Sequence, residues 1–539
     1  MQLIFKPNYI NQGVLFPLDL NEKVGANHPC RVIHEVVSKL NISTILQQYK
    51  GGGTSSYDPR MLLSILFYGY LNNTYSCRKI AKAIEENIYF MWLSGGQTPD
   101  FRTINDFRGK RLKGEIDDLF SQIVKMMVNM GLVSLEKQFV DGTKLAANAS
   151  KYSFVWKKSV ANHKGKLEEK IKSVLGDIKT AIQADDAAPI APENVAIDSK
   201  VLAEEIAKIN EKIGESNVDK GVKKQFKDLT DKKLPKLQEY EDKLEILGDR
   251  NSYAKTDTDA TFMRMKDDHF GNGQLKAGYN VQISTENQII THYSVHQNRT
   301  DYHTLTPHLA GFEDQYGKQS TVIVADAGYE SEENYELLSK KGIEYYIPYP
   351  NFRKEQSKKF QGNIFHPQNL FYNAELDFLV CPMGQRMEKK YLKKSKTSNG
   401  YEQESTIYEA KNCEGCPLRA MCHKSKENRQ IAINHKLNAF KVPVKERLMS
   451  EKGKEIYAKR CIEPEPVFGN LKQNKGFRRF TLRSIPKVSV EFGLYAIAHN
   501  FAKWLKAGLE VSINSFFDFF ASFFAFFTTP GALKPLLFA

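Results

Sequence analysis

Two short apolar segments, each followed directly by an aspartate, constrain the fold of this chain most strongly. The first apolar run ends at Asp141 and the second, TVIVA, ends at Asp326. Apolar content and turn residues predict the order strand–strand–strand–helix–strand–helix–strand. These elements are EKQFVDGTKL with its strand ending at Asp141, GYNVQIS, QIITHYSVH, a helix from about Leu305, STVIVADAGY, SEENYELLSKKG and IEYYIPYP. The order is typical of an α/β layer with helices packed on a central sheet.

Aspartates at the ends of two strands of one sheet can bring their carboxylates to a shared edge. Either residue alone could equally be a turn residue or a helix cap. Adjacent carboxylates are costly unless a cation neutralises them, and such oxygen ligands suit Mg²⁺ or Mn²⁺. Glu465 is our third candidate, and Glu463, two residues earlier, is the alternative. A carboxylate among phosphate-binding cations suits metal-assisted phosphoryl transfer on DNA. The neighbouring cations are Arg460, Lys472, Lys475, Arg478 and Arg479.

Positive charge is concentrated in this same part of the chain. The formal net charge is +14, and residues 381–485 hold 24 Lys or Arg against 11 Glu and no Asp. A concentrated basic stretch attracts polyanions, because nucleic-acid phosphates release counterions when cations neutralise them. A solvated protein surface is the alternative interpretation.

Composition excludes several other classes of protein. With 41% hydrophobic and 26% charged residues in 539, the chain is neither disordered, collagen-like nor a polytopic membrane protein. Seven cysteines are few and odd in number, which argues against a disulfide scaffold. The first residues lack the pattern of a signal peptide, so we expect a cytoplasmic protein. There is no Walker phosphate loop, so we do not expect ATP use.

Two regions outside this layer have helical patterns. In the first, residues 1–135, Asp58-Pro59 and Thr98-Pro99-Asp100 predict helix starts, and Ser76 is a candidate cap. Its last segment, FRTINDFRGKRL, is predicted to be basic on its exposed positions. Short helices with a basic last member fit a helix-turn-helix unit, and a dimerisation domain is equally compatible. The second region, residues 163–250, has apolar residues at helical spacing and predicts a projecting helical arm.

The cysteines form a second candidate site. Cys413-x2-Cys416-x5-Cys422, with Cys381 upstream, offers four thiolates to one structural Zn²⁺. His423 is a substitute ligand. Reduced, unligated cysteines in a loop region are the alternative.

Four stretches of the chain resemble bacterial DDE transposases of the insertion-sequence kind, whose catalytic core has a ribonuclease-H-like fold. They are the helical block from Ser56 to Leu112, FVDGTKLAANASKYSFVW, VIVADAGYES, and Tyr457-x2-Arg460 … Glu465-x6-Lys472. The resemblance implies that Asp141, Asp326 and Glu465 are the catalytic acids and hold two Mg²⁺ or Mn²⁺ ions. It also implies a signature of Tyr457, Arg460 and Lys472, whose basic members contact the DNA end.

The resemblance also implies an organisation and an activity. We expect an all-α DNA-binding or dimerisation domain (1–135) and a ribonuclease-H-like catalytic domain (136–505). The helical arm (163–250) and a Cys-rich insertion (375–430) would interrupt the latter, and a Phe-rich tail (506–539) would follow it without entering a membrane.

The expected function is cleavage and strand transfer at the terminal inverted repeats of an insertion sequence. The partners are then double-stranded terminal and target DNA at the nucleoid, bound by a homodimer or higher homo-oligomer. A nuclease of the same fold and a catalytically silent DNA-binding protein are the alternatives.

Overall fold

The computed structural model describes residues 19–50, 55–150, 152–182, 197–215, 219–265, 275–397 and 399–507. From residue 508 onward, the predicted Phe-rich tail lies outside the described residues. The chain divides into two compact units. One comprises residues 1–129, 288–290 and 492–539, and the other comprises residues 130–287 and 291–491.

The first unit is helical in its N-terminal part. Its helices are α1 (Leu20–Lys23), α2 (Pro29–Lys39), α3 (Ser43–Gln47), α4 (Pro59–Leu71), α5 (Cys77–Glu86), α6 (Ile88–Leu93), α7 (Phe101–Asp106) and α8 (Ile116–Asn129). The two predicted helix starts are confirmed, because Asp58 accepts the N–H of Arg60 and Asp100 accepts that of Arg102, both at 2.7 Å. Ser76 precedes α5 as predicted, but its side chain makes no capping hydrogen bond.

The basic segment of this unit contains exposed cations and one buried arginine, Arg108. This arginine lies in a π-helical turn after α7 and is buried. It donates to the hydroxyl of Tyr70 at 3.1 Å and to the carbonyl of Tyr75 at 2.8 Å. Arg102 and Lys110 of this segment are exposed, as predicted, whereas the buried charge of Arg108 joins the helices of the unit.

The second unit contains the strands. They are β1 (Lys137–Ala146), β2 (Phe154–Trp156), β3 (Ser252–Ala254), β4 (Thr261–Arg264), β5 (Leu275–Glu286), β6 (Ile289–His296), β7 (Val322–Ala325), β8 (Glu344–Tyr346), β9 (Tyr372–Asn373), β10 (Phe378–Val380), β11 (Arg386–Lys396), β12 (Glu402–Ala410) and β13 (Gln430–Ile433). The first two residues of β6 are grouped with the other unit.

The remaining helices follow β2 along the chain. They are α9 (Lys157–Ile182), α10 (Ser199–Glu215), α11 (Lys220–Asp228), α12 (Leu234–Leu247), α13 (Leu305–Tyr316), α14 (Glu332–Lys340), α15 (Lys358–Gln361), α16 (Arg419–Cys422), α17 (His435–Met449), α18 (Glu451–Ala458), α19 (Pro464–Gly469) and α20 (Ile485–Lys506). Among the described helices, none combines the length and the apolar character that crossing a membrane requires.

The central sheet is mixed, and helices pack on it as predicted. Its order is β4-β5-β1-β7-β8, and β6 pairs with β5. The strand β1 is antiparallel to β5 and parallel to β7. The predicted sequence of strands and helices around Asp141 and Asp326 is confirmed. One boundary is wrong, because β1 does not end at Asp141 but pairs with β5 as far as Ala146.

The main core of the second unit lies between this sheet and its helices. Buried residues of β1 and β7, such as Val140 and Val324, pack with Leu309 of α13, Tyr335 of α14 and Val444 of α17. The strand β7 is buried at every position, as expected of a parallel strand covered on both faces. The sheet edge that carries the two aspartates is therefore built on a rigid core.

Two further layers belong to the same unit. The helices α9 to α12 enclose a separate apolar core that includes Ile171, Leu202 and Leu237. The strands β9 to β13 form a second sheet in the order β13-β12-β11-β10-β9. Its small core includes Met387 and Tyr408.

Candidate active site

The parallel pairing of β1 with β7 brings the two predicted aspartates side by side. Val140 pairs with Ala325, so the next residue of β1 is Asp141 and the residue directly after β7 is Asp326, in extended conformation. Neighbouring strands lie about 4.8 Å apart, and residues at the same register of parallel strands point to the same face. The two acids therefore share one edge of the sheet.

Backbone N–H groups hold both carboxylates. Asp141 is 6% exposed and accepts the N–H of Gly142 at 2.8 Å. Asp326 accepts the N–H of Gly328 at 2.7 Å and so caps the short 3-10 turn Ala327–Tyr329. A Cβ on Gly328 would stand 2.8 Å from Asp326 Oδ1, so the bound carboxylate leaves no room for a side chain there.

The guanidinium of Arg460 connects Asp326 with Glu465. Its Nη1 donates to Glu465 Oε1 at 3.0 Å, and its Nη2 lies 3.6 Å from Asp326 Oδ2. Burial alone would lower the pKa of Arg460, but the acids around it, Asp141 first among them, raise the pKa overall. We call Asp141, Asp326, Glu465 and Arg460 the acid site. Its carboxylates are arranged around a positive charge.

The structure distinguishes the two glutamates that the sequence left as alternatives. Glu465 lies in the first turn of α19, and its side chain is 53% exposed while it contacts Arg460. Glu463 precedes that helix as its N-cap residue and is buried. The contact with the guanidinium is therefore made by the more exposed of the two glutamates.

Tyr457 and Lys472, the other two residues of the predicted signature, are partly or largely buried. Tyr457 is half-buried and packs against the main core, and burial raises the pKa of its hydroxyl. Lys472 is only 8% exposed. Both residues lie on the segment that carries Arg460 and Glu465.

The remaining predicted DNA-binding residues differ in the contacts that they make within the protein. Arg479 donates to the carbonyls of Ala147 at 3.1 Å and Ala149 at 3.3 Å, and so holds the loop after β1. Arg478 is exposed and donates to the side chain of Gln473 at 2.6 Å. Lys475 is half-buried. Arg478 also donates to the carbonyl of Lys472 at 2.9 Å, and both arginines are exposed, so DNA could reach either of them.

Several of the lysines that make β11 basic form ion pairs with glutamates across the sheet. Lys390 lies 2.5 Å from Glu409, Lys394 lies 3.0 Å from Glu404 and Lys396 lies 2.7 Å from Glu402. A count of charges along the chain therefore overstates the free positive charge of this region.

The predicted zinc ligands line one small cavity, which we call the cysteine cavity. Its volume is about 20 Å³, and its lining includes Cys381, Cys413, Cys416, Cys422 and His423. Both ring nitrogens of His423 are buried without a hydrogen-bond partner among the described residues. Arg429 donates through Nη1 to Cys422 Sγ at 3.0 Å.

The donor chemistry of each region fits the metal that the sequence predicts there. Carboxylate oxygens at the acid site suit Mg²⁺ or Mn²⁺, and thiols with an unpartnered imidazole suit Zn²⁺. Within the described part of the chain, however, no three His, Cys, Asp or Glu side chains are grouped closely enough to hold a metal ion.

One acid close to this edge was not predicted from the sequence. Asp301 accepts hydrogen bonds from Asn280 at 2.7 Å and Gln282 at 3.0 Å. Both amides lie on β5, whose pairing with β1 places Gln282 opposite Gly142. The alternating polar residues in GYNVQIS, on an otherwise buried strand, were the available signal.

Two protein-family models match the chain. A Transposase domain (DUF772) matches residues 18–110, and a Transposase DDE domain matches residues 380–505. The second match includes Arg460, Glu465 and the four cysteines, whereas Asp141 and Asp326 lie outside both matches. Neither the curated proteins nor the solved structures gave a match.

Proposed function

Since its two family matches identify this chain as a DDE transposase of the insertion-sequence kind, we propose that it binds the terminal inverted repeats of its element and catalyses DNA cleavage and strand transfer. The observation that carries this proposal is the acid site. Parallel strand register places Asp141 beside Asp326, and Arg460 links Asp326 to Glu465. A ribonuclease-H-like core, which a DDE domain implies, agrees with the mixed sheet.

We propose that Asp141, Asp326 and Glu465 hold two Mg²⁺ or Mn²⁺ ions. When bound, such ions activate a water or a 3′-OH for attack at phosphorus and stabilise the leaving oxygen. The chain itself supplies the carboxylates, one of them within β1 and one directly after β7. The third carboxylate, that of Glu465, is accessible to DNA because its side chain is more than half exposed.

Arg460 has two uses in this proposal. Without DNA, its guanidinium neutralises the carboxylates that would otherwise repel one another. When other cations take the carboxylates, the same guanidinium is free to bind a phosphate of the DNA end. Tyr457, Lys472, Lys475, Arg478 and Arg479 extend the proposed DNA contact along the same segment.

The rest of the chain is assigned by the same proposal. The N-terminal helices (1–135) recognise DNA or pair protomers, so the active form is a homodimer or higher homo-oligomer on terminal and target DNA at the nucleoid. The helical arm (163–250) and the Cys-rich insertion (375–430) interrupt the catalytic domain (136–505). One structural Zn²⁺ binds at the cysteine cavity, supported by the thiol lining and by His423, whose ring nitrogens have no hydrogen-bond partner among the described residues.

The test is to incubate purified protein with a duplex that carries the terminal repeat, a target plasmid and Mg²⁺ or Mn²⁺, and to sequence the products. A transposase gives repeat ends joined to target DNA. Cleavage without joining indicates a nuclease of the same fold. Binding without cleavage indicates a DNA-binding protein that has lost catalysis, and either result would contradict the proposal.

A further inference from the structure

We infer that Asp301 is a fourth acidic ligand of the acid site, an inference that rests on the proposed function. Asp301 begins a 3-10 turn after β6. A Cβ on Gly142 would stand 2.9 Å from Asp301 Oδ1, and a Cβ on Gly328 would stand 3.6 Å from Asp301 Oδ2. The same Gly328 position lies 2.8 Å from Asp326 Oδ1. The carboxylates of Asp301 and Asp326 thus lie within 4 Å of one point.

Buried amides hold one oxygen of Asp301 in place. Oδ1 accepts from Asn280 Nδ2 at 2.7 Å and from Gln282 Nε2 at 3.0 Å. Gln282 also donates to Asn280 Oδ1 at 3.0 Å and accepts from the hydroxyl of Tyr329. All three supporting residues are buried, and polar groups are stable in such a place only when their hydrogen bonds are satisfied. The network therefore fixes the orientation of the Asp301 carboxylate.

Within the described part of the chain, the second oxygen of Asp301 has no comparable partner. Among the described residues, no hydrogen bond reaches Asp301 Oδ2, the oxygen nearer to Gly328 and Asp326. An oriented carboxylate oxygen beside a second carboxylate is a suitable ligand for Mg²⁺ or Mn²⁺. The close approach also gives a reason for glycine at positions 142 and 328, where a side chain would displace the carboxylates.

The experiment measures Mn²⁺ binding by calorimetry on the full chain without DNA. Asp301→Asn keeps an oxygen that can accept from both amides but removes the charge, and we expect Mn²⁺ affinity to fall about tenfold or more. Asp141→Asn should weaken binding likewise. Asp314→Asn, on the exposed side of α13, removes a nearby charge outside the site and should leave the affinity unchanged.

The outcomes separate this inference from the proposed function. Wild-type affinity in Asp301→Asn with loss in Asp141→Asn overturns the inference alone. Wild-type affinity in both variants overturns the metal site itself. If Asp301→Asn does not fold, the wild-type chain can be loaded with Fe²⁺ and cut by locally generated hydroxyl radicals. Cuts near residues 141, 301 and 326 support the inference, and cuts near 141 and 326 without cuts near 301 overturn it.

Discussion

Two regions of this protein gather candidate metal ligands from distant parts of the chain, and an arginine lies beside both. At the acid site, Arg460 contacts two carboxylates, one of which is more than half exposed. At the cysteine cavity, Arg429 donates to Cys422 in a space of about 20 Å³. The acid site is open, as phosphoryl transfer on a large substrate requires. The cysteine cavity is too small for DNA, which fits a structural role.

The largest effect we expect is at the acid site. Asp141→Asn, Asp326→Asn and Glu465→Gln each remove a ligand charge with little change of volume. Each should reduce cleavage and strand transfer by about 10³-fold or more, as when other groups that stabilise transition-state charge are lost. Binding to terminal DNA, measured by gel shift, should persist.

Glu463→Gln is the matched control for these variants. Glu463 is buried two residues before Glu465 and is not one of the proposed metal ligands, so substantial activity should remain. An inactive Glu463→Gln with an active Glu465→Gln would show that we chose the wrong glutamate. Activity in all three acid variants would contradict the mechanism and remove the contrast between the two regions.

Part of the acid site could be predicted from the sequence, and part of it could not. The strands that carry Asp141 and Asp326 were predictable because an apolar run followed by a turn residue is a local pattern. Their side-by-side placement depends on the register of β1 with β7. A local sequence pattern is compatible with this register but does not determine it. Asp301 was missed because its neighbours Asn280 and Gln282 come from another strand.

Charge was the least predictable property. A count along the chain cannot show that Arg108 is buried, that Lys472 is nearly so, or that Lys394 faces Glu404 across two strands. Long basic side chains acquire partners only when strands and helices are assembled. For the same reason, the motif spacing of the cysteines predicted their common cavity but not the positions of their sulfurs.

The second prediction concerns the cysteine cavity. Protein purified without chelator should contain about one zinc per chain by metal analysis. Cys413→Ser combined with Cys416→Ser should abolish zinc binding and lower the free energy of unfolding by about 4 kcal/mol, the stabilisation given by a ligand at a thousand times its Kd. Cys461→Ser, at an exposed cysteine outside the cavity, is the control and should retain zinc. A folded wild-type protein without zinc would rule the site out.

The third prediction tests whether the acid site depends on its internal cation. Arg460→Gln leaves partly buried carboxylates without their guanidinium. The free energy of unfolding of the metal-free protein should fall by about 1–3 kcal/mol, since the exposure of Glu465 weakens the interaction. Lys459→Ala, which removes an exposed ion pair to Glu455, should cost under about 1 kcal/mol. Mn²⁺ should restore more stability to Arg460→Gln than to the wild type, and equal losses in both variants would contradict the role of Arg460.

The smallest expected effect separates two adjacent arginines that the sequence treats alike. Arg478 is exposed, so Arg478→Ala should weaken terminal-DNA binding and reduce the slope of log affinity against log salt by about 1. Arg479 donates to the backbone of the loop after β1, so Arg479→Ala should lower the melting temperature as well. Because that loop follows the strand of Asp141, the loss of Arg479 should also reduce cleavage of DNA that is already bound. A salt slope unchanged in Arg478→Ala would remove this residue from the DNA interface, and unchanged melting of Arg479→Ala would show that the loop is held by its other contacts.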